Sequence, residues 1–234
     1  MNRHRGGPLR RPVAVVLDMD GTLLDTEPLA ARAWGEAAAA LGVPFDDALA
    51  LRMIGRTFGD CRALVVAHHG EDYPTDRLMA GWHAAYDAIV ERDGLALKPG
   101  VGELFAWLDA TGIARAIATS TRRARALAKL EQAALATRVH ALVGGDEVAR
   151  GKPAPDIYVE AARRLRTDVA GCIALEDSEP GIRAALSAGM TPIMVPDQHQ
   201  PAPDILASGT LVLPSLAHVQ VHLARAAANG IIGE

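Results

Sequence analysis

The sequence predicts an α/β protein: a doubly wound parallel sheet, Rossmann-like, with a small all-helical domain inserted after the first strand. From residue 100 onward, short and continuously apolar runs alternate with segments of helical period. That rhythm is the mark of a parallel sheet whose strands are buried on both faces by helices. The first apolar run, "VAVVLD" at 13–18, stands far upstream of the second, and everything readable between them is helical. An insert of that kind forms a second, smaller domain.

The elements follow in order. The basic, Gly- and Pro-containing segment 1–11 has no apolar stretch of the sort a secretory signal needs and reads as a mobile tail. After the first strand, "DTEPLAARAWGEAAAALG" has Thr26 as an N-cap, Pro28 in the first turn and Gly42 as a stop. "TDRLMAGWHAAYDAIVERDG" aligns Leu78, Trp82, Ala85, Tyr86 and Ile89 along one helical stripe. "LKPG" at 97–100 is the return hinge. "VGELFAWLDATG" puts Leu104, Phe105 and Leu108 on one face and stops at Gly112, and "PAPDIYVEAARRL" does the same with Tyr158, Ala161, Ala162 and Leu165. Between and after these, "IARAIAT", "HALVGG", "CIALED", "TPIMVP" and a shorter "TLVLP" read as strands, with further helices after Thr121, Glu179 and Ser215. The predicted domains are a tail at 1–11, a core of 12–26 and 98–234, and a helical domain at 27–97.

Composition narrows the partners. Half of the 234 residues are hydrophobic and the net charge is −4, which gives no reason to expect nucleic acid or an anionic membrane. No run approaches the length of a membrane span. Two cysteines, Cys61 and Cys172, are too few for a disulfide framework, so the expected location is the cytoplasm. The expected state is a monomer or small homo-oligomer.

Ligands of doubly wound sheets sit beyond the carboxyl ends of the strands. The first run ends in Asp18 and Asp20; the second in Thr119, with Ser120 and Thr121 opening a helix; the loop after the third carries Lys152; the fourth ends in Glu176 and Asp177. Each alone has a plain reading, as a solvated turn, a helix cap or a surface charge. All four in succession point to one site. Several carboxylates coexist around a hard cation, and an all-oxygen set suits magnesium. Asp18 and Asp20 are two residues apart in an extended segment and so address one ligand. A phosphate bridging to that cation needs donors, which Thr119 at a helix start and Lys152 supply. Lysine is scarce, with Lys98, Lys129 and Lys152 standing against twenty-one arginines. Its retention at 152 suits a place where a compact point charge is wanted.

"DMDGTLLDTE", Thr119 in "IATST", Lys152 in "ARGKPAPD" and "LEDSEPG" resemble the four motifs of the haloacid dehalogenase superfamily, over residues 12–197. The position of the insert resembles the branch with a small helical cap, which contains sugar-phosphate phosphatases, phosphoglycolate phosphatases and β-phosphoglucomutases. The resemblance implies that Asp18 is a nucleophile forming an aspartyl-phosphate and that Asp20 is the general acid and then the general base. It implies magnesium held by Asp18, the backbone carbonyl of Asp20 and Asp177, with Glu176 assisting. It further implies that Thr119, Ser120 and Lys152 bind the phosphoryl oxygens, and that the substrate is a small phosphorylated metabolite, a sugar phosphate. Dehalogenases and phosphonatases of the superfamily lack the second acid, so Asp20 argues for a phosphate ester. β-Phosphoglucomutases, the enzymatic alternative, usually carry a histidine where this chain has Ala30. A non-catalytic phosphate-binding module is disfavoured because Asp18 and Asp20 are both kept. In "MIGRTFGD", which resembles a substrate-facing cap loop, Arg56 is a candidate second anchor for the substrate. The neighbours His68 and His69 point apart on a helix and show no acid partner in the sequence, which argues against a metal there.

Overall fold

The computed structural model describes residues 12–53, 58–197 and 201–229. They divide into two compact units, one made of the residues through Leu24 together with those from Leu97 on, the other being Asp25–Ala96. The helical unit therefore starts at 25 and ends at 96, where the sequence suggests 27 and 97. The reason is local: the Asp25 N–H donates to the Ala96 carbonyl at 2.9 Å and ties the two ends together.

The first unit holds a six-stranded sheet: β1 (Ala14–Leu17), β2 (Ala114–Ala118), β3 (Ala141–Val143), β4 (Cys172–Glu176), β5 (Thr191–Met194) and β6 (Leu211–Val212). All neighbours are parallel and the order is β3-β2-β1-β4-β5-β6. Successive strands run outward from β1 to β3, and then the chain returns to the other side of β1. The reversal lies between β1 and β4, the place where such sheets open a crevice.

The second unit is helical, with α1 (Glu27–Leu41), α2 (Asp47–Met53), α3 (Phe58–His69) and α4 (Thr75–Asp93). Its core centres on Trp34, which stacks on Phe45 and lies 5.4 Å from Trp82, with Leu49, Val65 and Leu78 buried around them. α1 begins after Thr26 as expected, but Thr26 has helical dihedrals and its side chain makes no capping bond. His68 Nε2 lies 3.5 Å from Asp46 Oδ2, an acid partner the sequence does not reveal because the two are far apart along the chain.

The sheet is flanked by α5 (Val101–Thr111), α6 (Arg123–Gln132), α7 (Asp156–Leu165), α8 (Glu179–Ala188), α9 (Pro203–Ala207) and α10 (Leu216–Asn229). Ala14, Val16, Ala116, Ala118, Cys172 and Ala174 form one face and pack against Ile157, Tyr158, Ala161, Ala184 and Ala185 of α7 and α8. Their alternates Val15, Leu17, Ile117 and Leu175 are also fully buried, so both faces are covered. At the edge strand β3, Arg123 and Arg164 each donate to the Leu142 carbonyl at 2.6 Å, which blunts an otherwise open edge. Among the described residues no helix is long and apolar enough to cross a membrane. The tail at 1–11 lies outside the described residues.

Candidate active site

The site grows from the carboxyl ends of β1 and β4, adjacent at the reversal of strand order. Asp18 follows β1 directly, and its N–H extends the pairing by donating to Leu175 O at 2.9 Å. The chain then folds back tightly, with the Leu23 N–H on Met19 O and the Gly21 N–H on Leu24 O. Gly21 takes φ +82°, and a Cβ there would lie 2.4 Å from Asp177 Oδ2. Glycine is thus what lets the first turn close on the acid ending the β4 motif. The same turn aims the Thr22 hydroxyl at Asp177 Oδ1, 2.8 Å away.

Lys152 reaches in from the loop after β3 and is nearly fully buried. Its ammonium donates to Asp18 Oδ1 at 2.5 Å and to Glu176 Oε1 at 2.6 Å, and lies 5.4 Å from the centre of the Tyr158 ring. Tyr158, itself buried, donates its hydroxyl to the same Glu176 oxygen at 2.8 Å. The other oxygen, Oε2, accepts the Ser178 N–H at 3.1 Å and hydroxyl at 2.9 Å. A carboxylate offers about four lone-pair directions, so protein donors fill those of Glu176.

Charge is held there under tension. Burial pushes the Asp18 carboxyl up to about 7 against the pull of Lys152, with Glu176 and Asp20 adding to the rise. Burial, then the charges of Asp18 and Glu176, push Asp177 well above the usual carboxylate range. Burial works against the charge on Lys152, yet Asp18 and Glu176 hold its ammonium above its ordinary value.

Oxygens of Asp18, Glu176 and Asp177 lie within 4.8 Å of one another, a spacing that suits a single cation. With all three ionised, one ammonium would leave two negative charges to be met by a bound cation, and the donors are all hard oxygens. The set therefore fits a small dication. Glu176 belongs to this set by proximity, and four protein donors already occupy its oxygens.

Thr119 follows β2, is buried, and its hydroxyl oxygen accepts the Thr121 N–H at 3.1 Å. Ser120 beside it is exposed. Asp20 is held on both oxygens: Lys129 of α6 donates to Oδ1 at 2.6 Å and Thr121 donates its hydroxyl to Oδ2 at 2.7 Å. The structure thus gathers Asp18, Asp20, Thr119, Lys152, Glu176 and Asp177 at one edge of the sheet. Arg56 lies outside the described residues. Sequence reasoning missed the partners Thr22, Lys129 and Tyr158. Only Lys129 carried a signal, as a rare lysine in an arginine-rich chain.

The haloacid dehalogenase-like hydrolase family matches residues 13–189. The chain is 32% identical over 182 residues to the phosphorylated carbohydrates phosphatase of Thermotoga maritima, covering 76% of this chain and 82% of that protein. It is also 32% identical over 194 residues to the β-phosphoglucomutase of Bacillus subtilis, covering 80% and 84%. The crystal structure of CbbY from Rhodobacter sphaeroides in complex with phosphate superposes with a TM-score of 0.73 at 30% identity, covering 91% of this chain and 99% of that one. With a match across most of its length and relatives at this identity, the chain belongs to the haloacid dehalogenase-like hydrolases.

Proposed function

We propose that the protein is a magnesium-dependent phosphatase that hydrolyses a small phosphorylated metabolite, a sugar phosphate, by way of a phosphoryl group carried on Asp18. The observation that carries the reading is the close set of Asp18, Glu176 and Asp177, whose oxygens lie within 4.8 Å of one another, with Lys152 bonded to the first two and Asp20 two residues beyond Asp18. Magnesium, held by Asp18, the Asp20 carbonyl and Asp177, would supply charge neutralisation for the approach of an anionic ester. The rest is done by the chain. Asp18 attacks phosphorus, forming an Oδ–P bond as the ester P–O bond breaks, and Asp20 gives its proton to the leaving oxygen. Water then attacks phosphorus, Asp20 takes the proton, and the bond to Asp18 breaks, which returns both acids to their starting state. Thr119, Ser120 and Lys152 hold the phosphoryl oxygens, with Lys152 also bracing the nucleophile.

Similarity to a β-phosphoglucomutase supports an intramolecular phosphomutase as the second reading, and Ala30 speaks against it. In mutases the histidine at that place serves a proton relay to a sugar hydroxyl, and a methyl group offers neither proton nor hydrogen bond. The discriminating experiment is a panel of phosphorylated metabolites incubated with purified protein and magnesium. The expected result is stoichiometric inorganic phosphate without any bisphosphate primer. Primer-dependent accumulation of an isomeric sugar phosphate, with little free phosphate, would favour the mutase. Neither phosphate release nor isomerisation with any member, with or without primer, would count against both.

A further inference from the structure

The chain's three lysines share a feature. Lys152 pairs with Asp18 and Glu176, Lys129 with Asp20 at 2.6 Å, and Lys98 with Asp197 at 2.7 Å. Each of these acids ends or follows a strand at the carboxyl edge of the sheet. The pairs of Arg32, Arg92, Arg115, Arg163 and Arg183 go to acids carried on helices, while Arg123 and Arg164 also reach Glu147, which follows β3. A chain that chooses arginine at twenty-one basic positions keeps lysine along the edge where the site lies.

At Asp20 the choice has a geometric reason. A guanidinium fork matches both oxygens of a carboxylate at once. An ammonium takes one. Lys129 takes Oδ1, which leaves Oδ2 to the Thr121 hydroxyl at 2.7 Å. The two donors come from the start and the last turn of one connection, so Asp20 is gripped at both oxygens by a rigid element. Lys129 sits beside the buried Ala126 and Leu130 on the inner side of α6, and its side chain is only 12% exposed. A solvated surface pair would be free to wander; this one is enclosed.

We propose that Lys129 is a positioning residue for the reaction: with Thr121 it fixes the carboxylate plane of Asp20 so that the remaining lone pairs point where a proton must be given and taken. The inference rests on the reading of Asp20 as the acid and base. A carboxylate tethered by two single bonds otherwise samples several rotamers, and proton transfer requires hydrogen-bond reach. Misplacement by about 1 Å can cost about 100-fold in rate.

The test uses a substrate found in the metabolite panel. Lys129→Met is expected to lower kcat by about 10- to 100-fold with KM within about twofold, the pattern of a group that acts on the reacting geometry and not on binding. Lys129→Cys supplies the control on one folded protein, because the native Cys61 and Cys172 are almost completely buried while position 129 keeps some contact with solvent, so a small reagent reaches the new thiol first. Aminoethylation, which restores an ammonium at nearly the original reach, should bring kcat back to within about threefold of the unmodified enzyme, whereas methylthiolation should not. A Lys129→Met kcat within about twofold of the parent, a change confined to KM, or equal rates for the two adducts would overturn the inference. If the parent protein releases no phosphate at all, the functional reading falls and takes this inference with it. An active parent with an equally active Lys129→Met sinks the inference alone.

Discussion

Gly181 stands so close to the Glu176 carboxylate that a Cβ on it would lie 1.7 Å from Oε1 and 1.9 Å from Cδ. The first turn of α8 therefore packs directly on the acid that ends β4, and no side chain fits between them.

Gly181→Ala is expected to force Glu176 aside and to draw Lys152 with it, since the two are bonded at 2.6 Å. The overpacking should cost about 1–3 kcal/mol, read as a lowered melting temperature. Phosphate release should fall by more than the folded fraction explains. An unchanged melting temperature would mean that Glu176 is not fixed by the helix.

Tyr158→Phe removes one of the four donors on Glu176 and leaves a buried carboxylate oxygen short of a partner. The expected loss is about 1–3 kcal/mol of stability in chemical denaturation. Lys152→Met should cost more, about 3–5 kcal/mol, because it strips the ammonium from between two buried carboxylates. If Tyr158→Phe proved the more damaging of the two, the order of importance given to these contacts would be wrong.

Much of this was legible in the chain. The strands announced themselves as apolar runs because a sheet covered on both faces leaves no polar alternation, and the six site residues stood at or just beyond successive strand ends. The rest depends on contacts between residues distant along the chain. Tyr158 falls on the buried stripe of α7 together with Ala161 and Ala162, so its period marks it as core, and only three dimensions show its hydroxyl on Glu176. Lys129 has the sequence context of a solvated helix end, although its rarity set it apart. Thr22 and Gly21 are turn residues, but their closure on Asp177 depends on β1 and β4 being neighbours. Periodicity carries burial well and says little about which buried polar atoms meet.

Asp18→Asn and Asp20→Asn should separate the two steps. The first removes the nucleophile and should abolish turnover, by about a thousandfold or more, while its melting temperature at pH 8 without metal stays level or rises. The second should stop turnover yet leave phosphate trapped on Asp18, seen by mass spectrometry of the peptide that bears it. Near-normal activity of Asp18→Asn would dismiss the covalent step.

The raised Asp18 and Asp177 carboxyls make a prediction about pH. A carboxyl whose folded value lies above its unfolded one binds protons more tightly when folded, so its contribution to stability is greatest at low pH and declines as pH rises from about 4 through the folded value. For Asp18 that value is about 7. In metal-free protein the melting temperature of the parent relative to Asp18→Asn should accordingly fall between pH 5 and pH 8. Magnesium, which needs the ionised acids, should raise the parent's melting temperature more at pH 8 than at pH 5. Equal magnesium effects at both values would count against the assignment of these two acids as ligands, as would full activity in excess chelator.

The covalent role of Asp18 is tested most directly by the stereochemical course at phosphorus, followed with a thiophosphate ester whose transferable group carries sulfur and two different oxygen isotopes and which is turned over in water of the third isotope. Two successive in-line displacements, first by Asp18 and then by water, predict retention of configuration in the inorganic thiophosphate. Inversion would mean that water attacks the ester directly, and would contradict the account.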